Sequence, residues 1–338
     1  MTLKFAVLGA GRIGQVHARA ISATKGASLV AIADPFAAAA QAAQAEYGGD
    51  IRDIDTIMAS DDVDAVVICT PTDTHADLIE QAARAGKVIF CEKPIDLDLA
   101  RVKSCLDVVQ TTGATLMLGF NRRYDPDFMA LHASIAAGQI GEVEMVTITS
   151  RDPSGPPLDY IPRSGGIFRD MTIHDFDVAR WMLGEEIETV QAAASVLVDP
   201  KVGRLGDYDS VNVILRTATG KQATITNSRR AAYGYDQRIE VHGSLGAASV
   251  DNMHTSRVQV ATAPGFTRPP LEDFFMTRYV AAYAAEATEL VAALAENRAP
   301  RTSGHDGLMA LALADAAVKS VDEQRVVKLS EITDAVGL

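Results

Sequence analysis

Residues 3–14 read LKFAVLGAGRIG, and QVHARAISA carries the chain on to residue 23. LKFAVL is a short run of β-formers, the second stretch has helical spacing, and between them stand Gly9, Gly11 and Gly14 in the pattern G-x-G-x-x-G. In that setting the three glycines serve in turn for a tight turn, for close approach of backbone to a pyrophosphate, and for close packing of helix on strand. The start of the helix then offers unbonded N–H groups to phosphate oxygens. A glycine-rich turn alone means little. Between a strand and a helix it predicts a dinucleotide-binding half.

The flanking sequence extends that pattern. SLVAIADP (28–35) ends in Asp34, at the distance from the glycines where an acid accepts from the adenine-side ribose 2′-hydroxyl and repels a 2′-phosphate. No arginine follows in DPFAAAA, so NAD is expected over NADP; the competing reading is a turn aspartate before Pro35. DAVVICTP (64–71), KVIFCEKP (87–94) and ATLMLGF (114–120) are near-continuous apolar runs, as parallel strands buried on both faces should be. Helical stretches separate them, TDTHADLIEQAARAG (72–86) and LDLARVKSCLDVVQTTG (97–113). Such alternation predicts a doubly wound sheet whose ligand lies beyond the C-terminal strand ends. Thr70-Pro71 and Glu92-Lys93-Pro94 fall at such ends, and His75 stands beside the first. The expected cofactor contacts are therefore Gly9, Gly11, Arg12, Ile13, Gly14, Asp34, Thr70, Pro71, His75, Glu92 and Lys93. Lys93 is either a solvated charge after a strand or a donor to a reacting hydroxyl.

After a helix ending near Gly138 the texture changes. EVEMVTITSRD (142–152), IETVQAAASVLVD (187–199), DSVNVILRT (209–217), KQATITNSR (221–229), DQRIEVHG (236–243) and AASVD (247–251) alternate apolar with polar residues. This is the mark of an antiparallel sheet with one covered face. Two strong helical patterns (278–296 and 305–323) and a short strand, RVVKL, close the chain. The expected fold is α/β: an N-terminal Rossmann domain (1–120) and a C-terminal α+β domain (121–338) with a large, mostly antiparallel open sheet. A C-terminal helix is free to pack back on the first domain.

Composition narrows the function classes. The 338 residues are 48% hydrophobic and 22% charged, which suits a globular chain, and the formal net charge is −13. That acidity argues against nucleic acid or an anionic membrane surface as partner. No apolar run approaches the roughly 18 residues of a membrane span. The N-terminus reads as the first strand of the mature fold rather than a leader. Cys69, Cys91 and Cys105 lack metal or CxxC spacing and read as core residues in a reducing compartment. A cytoplasmic protein is expected.

The stretch GGIFRDMTIHDFDVARWM (165–182) sets one histidine among acids in an otherwise helix-like run. Read as a helix over 170–182, it lines up Asp170, His174, Asp177 and Trp181, while Ile173, Phe176 and Leu183 turn toward the sheet. A carboxylate one turn from an imidazole fixes its tautomer and stabilises the imidazolium, which suits a general base for an alcohol proton. The competing reading makes Asp170 a helix cap and His174 a satisfied, half-buried histidine. His17 and His75 belong to the dinucleotide half; His132, His242 and His305 have no acid at helical spacing. A carboxylate-rich metal site at Asp170, His174, Asp175 and Asp177 is disfavoured, because His174 and Asp175 point apart on a helix. No metal is expected.

These motifs together resemble the glucose–fructose oxidoreductase/inositol dehydrogenase (Gfo/Idh/MocA) family. The resemblance rests on GAGRIG, EKP (92–94), the D-x-x-x-H of DMTIH (170–174), GFNRRYDPDF (119–128), SRDP (150–153) and YGYD (233–236), and covers essentially the whole chain. It implies Lys93, Asp170 and His174 as the catalytic set, with His174 the base, Asp170 its partner, and Lys93 orienting the hydroxyl. It further implies substrate contacts from Arg123, Asp152, Asp177 and Tyr233 beside the catalytic three, and a homotetramer formed through the exposed sheet face. The implied reaction is NAD-dependent oxidation of myo-inositol to 2-keto-myo-inositol. Alternatives are the same chemistry on scyllo-inositol, another cyclitol or an aldose, and a non-catalytic NAD-binding sensor of such a polyol. Some inositol dehydrogenases carry histidine and asparagine where this chain has Ser150-Arg151-Asp152, which leaves the isomer open.

Overall fold

The computed structural model describes residues 2–338. The first stretch alternates strand and helix: β1 (Leu3–Leu8), α1 (Arg12–Ala23), β2 (Ala27–Ala33), α2 (Ala37–Tyr47), β3 (Asp50–Ile51), α3 (Ile54–Ala59), β4 (Ala65–Ile68), α4 (His75–Arg84), β5 (Val88–Cys91), α5 (Leu99–Thr112) and β6 (Leu116–Leu118). All pairings in this sheet are parallel, in the order β3-β2-β1-β4-β5-β6. The order reverses beside β1, so the glycine turn leaves the sheet at its switch point, where doubly wound sheets hold ligands. β4 and β6 are buried along their whole length, as their unbroken apolar sequences require.

The middle of the chain contributes α6 (Pro126–Ala136), β7 (Val143–Arg151), α7 (Ile161–Ser164), α8 (Ile173–Leu183), β8 (Ile187–Ser195), α9 (Pro200–Arg204), β9 (Ser210–Thr217), β10 (Gln222–Ser228), β11 (Asp236–Gly243), β12 (Gly246–Val250), a small hairpin of β13 (Val260–Thr262) and β14 (Gly265–Thr267), and α10 (Phe275–Arg278). The end supplies α11 (Val280–Ala295), α12 (Gly304–Glu323), β15 (Val327–Lys328) and a last turn of helix. The second sheet runs β12-β11-β7-β10-β9-β8-β15; every pair is antiparallel except β7 with β10. Its strands alternate buried and exposed residues, and α8 packs on the covered face against β7 and β10.

The register of this sheet explains where polar chemistry begins. Along the covered face Val146, Ile148 and Ser150 of β7 lie beside Ala223, Ile225 and Asn227 of β10, and Ile148 and Ser150 face Ile239 and Gln237 of β11. Three neighbouring strands therefore change from apolar to polar in the same row, Ser150/Asn227/Gln237, and all three side chains are buried. Buried polar groups need partners, and the helix packed over that row supplies one.

The chain divides into two compact units, residues 1–125 with 281–311, and residues 126–280 with 312–338. Contacts within the first unit account for its late segment. Thr302 Oγ1 donates to the Leu118 carbonyl and pairs with the Tyr124 hydroxyl, and a Cβ on Gly304 or Gly307 would run into Leu106 or Leu118.

Candidate active site

The cofactor turn follows directly from its glycines. Gly9 has φ +92°, open to glycine at little cost, and a Cβ there would come within 2.7 Å of the Cys69 carbonyl oxygen. A Cβ on Gly14 would sit 1.8 Å from the Gly9 carbonyl oxygen, so α1 can pack this close only with glycine. Gly11 differs: a Cβ there meets nothing within 4 Å, so the middle of the turn faces open space. No side chain caps α1, whose first N–H groups face the same region. An open cradle of N–H groups with no side chain in it fits a pyrophosphate.

Asp34 is fixed at the end of β2 by two backbone donors: Ala10 N–H to Oδ2 at 2.6 Å and Phe36 N–H to Oδ1 at 2.7 Å. A carboxylate has about four lone-pair directions, so two remain for a ribose diol. His75 is buried, and its ring nitrogens lie 2.7 Å from the Pro94 carbonyl and 2.8 Å from that of Thr70. Its ring thus ties the loop after β4 to the loop after β5, the two loops expected to border the cofactor. Thr70 pairs its hydroxyl with Thr74. Glu92 Oε1 lies 2.7 Å from Nε2 of buried His17, whose ring packs between Phe90 and Tyr283. His17 therefore has an acid partner as well, one that helical spacing does not reveal. Arg123, also in this unit, is buried and donates to Asp306 at 2.8 Å.

In the second unit the expected regular helix over 170–182 is corrected. Phe168–Thr172 form a π-helical turn, and α8 begins only at Ile173. The wider turn is held by buried bonds. Ile167 N–H donates to Asp207 Oδ1, and Thr172 Oγ1 donates to Asn227 Oδ1 at 2.6 Å. Such turns recur at functional sites. Asp170 and His174 stand on either side of this junction, both half-buried.

Asp175 points the other way, onto the polar row of the sheet. It is fully buried, accepting from Ser150 Oγ at 2.6 Å and Asn227 Nδ2 at 2.8 Å, which makes it a structural anchor for α8. Asp177 is likewise fully buried. Tyr233, half exposed, donates to Asp236 at 2.5 Å and accepts from Arg151 Nη1 at 2.9 Å. Asp152 lies 3.6 Å from Arg229.

Two residues absent from the sequence reading hold Asp170. Arg229 Nη2 donates to Oδ2 at 2.8 Å, and the Tyr160 hydroxyl donates to Oδ1 at 3.2 Å. Burial works against the Arg229 charge, but Asp170 and Asp152 outweigh it and raise its proton affinity further. Burial, and behind it the Asp170 charge, pushes the Tyr160 phenol well up. Tyr160 is thus a proton donor to Asp170 throughout the neutral range.

A parallel sheet of this order, with an open glycine turn and an acid at the end of β2, defines a dinucleotide-binding protein, and the comparisons narrow the class. The description "Oxidoreductase family, NAD-binding Rossmann fold" matches residues 3–120, and "GFO/IDH/MocA C-terminal domain" matches residues 128–249. The chain belongs to the GFO/IDH/MocA family of NAD-binding oxidoreductases. Inositol 2-dehydrogenase of Rhizobium meliloti (strain 1021) is 64% identical over 98% of this chain and 100% of its own length. A crystal structure of a myo-inositol dehydrogenase from Corynebacterium glutamicum matches with TM-score 0.94 at 42% identity, over 97% of this chain and 99% of that one. The scyllo-inositol dehydrogenase of Lactobacillus casei, solved with NAD(H) and scyllo-inositol, matches with TM-score 0.91 at 28% identity, over 98% and 100% of the two chains. Among the described residues no helix is long and apolar enough to cross a membrane.

Proposed function

We propose that this protein is an NAD-dependent inositol 2-dehydrogenase that oxidises myo-inositol to 2-keto-myo-inositol. The observation that carries the reading is the full-length 64% identity to an inositol 2-dehydrogenase, in a chain that has the lysine of EKP and the D-x-x-x-H pair. Gly9, Gly11, Arg12, Ile13, Gly14, Asp34, Thr70, Pro71, Glu92 and Lys93 would hold the cofactor, with His75 bracing two of the loops involved. NAD, when bound, supplies the hydride acceptor.

The chain's own residues handle the proton. His174 accepts it from the reacting hydroxyl at an imidazole nitrogen, and Asp170 holds the ring and stabilises the imidazolium. Lys93 donates a hydrogen bond to the reacting oxygen and favours its developing negative charge. Arg123, Asp152, Asp177 and Tyr233 are proposed as anchors for the other ring hydroxyls.

The open face of the second sheet, which exposes Met145 and Ile214, supports assembly through that face into a homotetramer. A cytoplasmic location completes the proposal.

The substrate is tested by kcat/KM with NAD for myo-inositol, scyllo-inositol and glucose. One hydrogen bond missed in a closed pocket costs about 1–3 kcal/mol, or roughly 5- to 150-fold. myo-Inositol is expected to lead by a factor in that range. A lead for scyllo-inositol or glucose would keep the chemistry and replace the substrate.

A further inference from the structure

We propose that Phe36 is the platform for the adenine of NAD: the base stacks on its ring and is held by its face, with no side chain of this segment reading its edge. The proposal rests on Asp34 as the contact for the adenine-side ribose.

Phe36 breaks two local rules together. It is the N-cap of α2, a position that favours Ser, Thr, Asp or Asn, whose oxygens accept from the free N–H groups of the first turn. A phenyl ring offers no such acceptor, and no side chain caps this helix. Phe36 is also 76% exposed, a large apolar ring left in water. α2 buries its apolar face without it: Ala40 and Ala43 form a cluster with Ala10 of the glycine turn and Ile32 of β2. Local departures that packing does not offset are expected where a ligand binds.

The position identifies the ligand. The Phe36 N–H donates to Asp34 Oδ1 at 2.7 Å, which ties this residue to the carboxylate read as holding the ribose diol. Its carbonyl accepts from Ala39 at 2.9 Å and from Ala40 at 3.3 Å. Phe36 therefore stands one turn ahead of Ala40, on the side of α2 that meets the glycine turn. Ala10 of that turn donates to the other oxygen of Asp34. A ribose on Asp34 carries the pyrophosphate at one end and adenine at the other. With the pyrophosphate on the glycine turn, the base falls within one side-chain length of Phe36. Recognition by the face follows from the neighbouring residues. Residues 37–40 are all alanine, so the ring is the only side chain of this turn larger than a methyl group. Arg52, whose N–H donates to the Ile32 carbonyl, has its guanidinium committed to Asp62 at 2.8 Å through both Nη atoms and to Asp50 at 3.0 Å. Stacking needs only a flat π surface and tolerates changes at the edge of the base.

The test is the Kd, by calorimetry on the purified protein, of NAD, NADP, nicotinamide hypoxanthine dinucleotide (changed only at the edge of the base) and nicotinamide mononucleotide (which lacks the base). In F36A the affinity for NAD is expected to fall about 5- to 150-fold, the range for loss of one aromatic stacking partner. The hypoxanthine analogue should weaken as much and the mononucleotide should be unchanged. F36W, which keeps a flat ring, should bind NAD close to wild type. Wild-type affinity for NAD in F36A would overturn the proposal. So would equal weakening of NAD and the mononucleotide, which would trace the loss to a disturbed turn. Failure of the wild type to bind the hypoxanthine analogue would show reading of the base edge and overturn it as well. If F36A does not fold, F36L decides, and an unchanged affinity for NAD there overturns the proposal. D34A tests the reading beneath: it should narrow the preference for NAD over NADP, whereas F36A, acting on a base that both carry, should leave that preference in place. An unaltered preference in D34A would refute Asp34 as the ribose contact. A narrowed preference in D34A with full affinity for NAD in F36A would refute only the platform.

Discussion

Replacing His174 by alanine is expected to lower kcat for inositol oxidation by about 10²–10⁴-fold, the usual contribution of a positioned general base. His174 is half-buried at the head of α8, one turn after an aspartate whose two oxygens are held by Arg229 and Tyr160. Such a carboxylate can orient an imidazole without itself taking the proton. The loss belongs to the transition state, so it should fall on kcat and kcat/KM alike and leave KM nearly unchanged. Steady-state kinetics at saturating NAD, with thermal unfolding as a check on folding, read this directly. Turnover within about tenfold of wild type would remove His174 from the chemistry.

Lys93→Ala is the second large effect, about 10²–10³-fold in kcat, the range found when one donor to a developing oxyanion is removed. The physical case starts from the strand. β5 ends at Cys91, Glu92 is tied inward to His17, and Lys93 follows at the C-terminal end of a parallel sheet, where ligands bind. A lysine that only held the cofactor would give a different result: KM for NAD would rise and kcat at saturation would survive. That split would contradict the proposed role.

The dinucleotide half was legible because each of its features is local. Unbroken apolar runs, a glycine turn between strand and helix, and an acid at a set distance all lie within short windows, and the parallel sheet follows from them. The second sheet was legible for the same reason, through its alternation. The register row Ser150/Asn227/Gln237 was not, because a pattern of period two does not say which strands will be neighbours. Nor was the hold on Asp170, since Arg229 lies 59 residues away along the chain. The partner of His17 is 75 residues off and equally invisible to helical spacing. The π-helical turn has no signature in composition; its wider turn is fixed by Asp207 and Asn227 from other elements. Helical reading gave residues 170–174 the wrong local geometry. It turned Asp175 away from His174, and the sheet residues that take up its carboxylate, Ser150 and Asn227, were not legible.

The central claim is hydride removal from one ring carbon of myo-inositol, and myo-inositol deuterated at C2 tests it most directly. Incubated with the purified protein and NAD, it should yield reduced cofactor that carries the label, with the 2-ketone formed in equal amount. Reduced cofactor without deuterium would place the oxidation at another carbon, and no reduction at all would contradict the proposed activity outright.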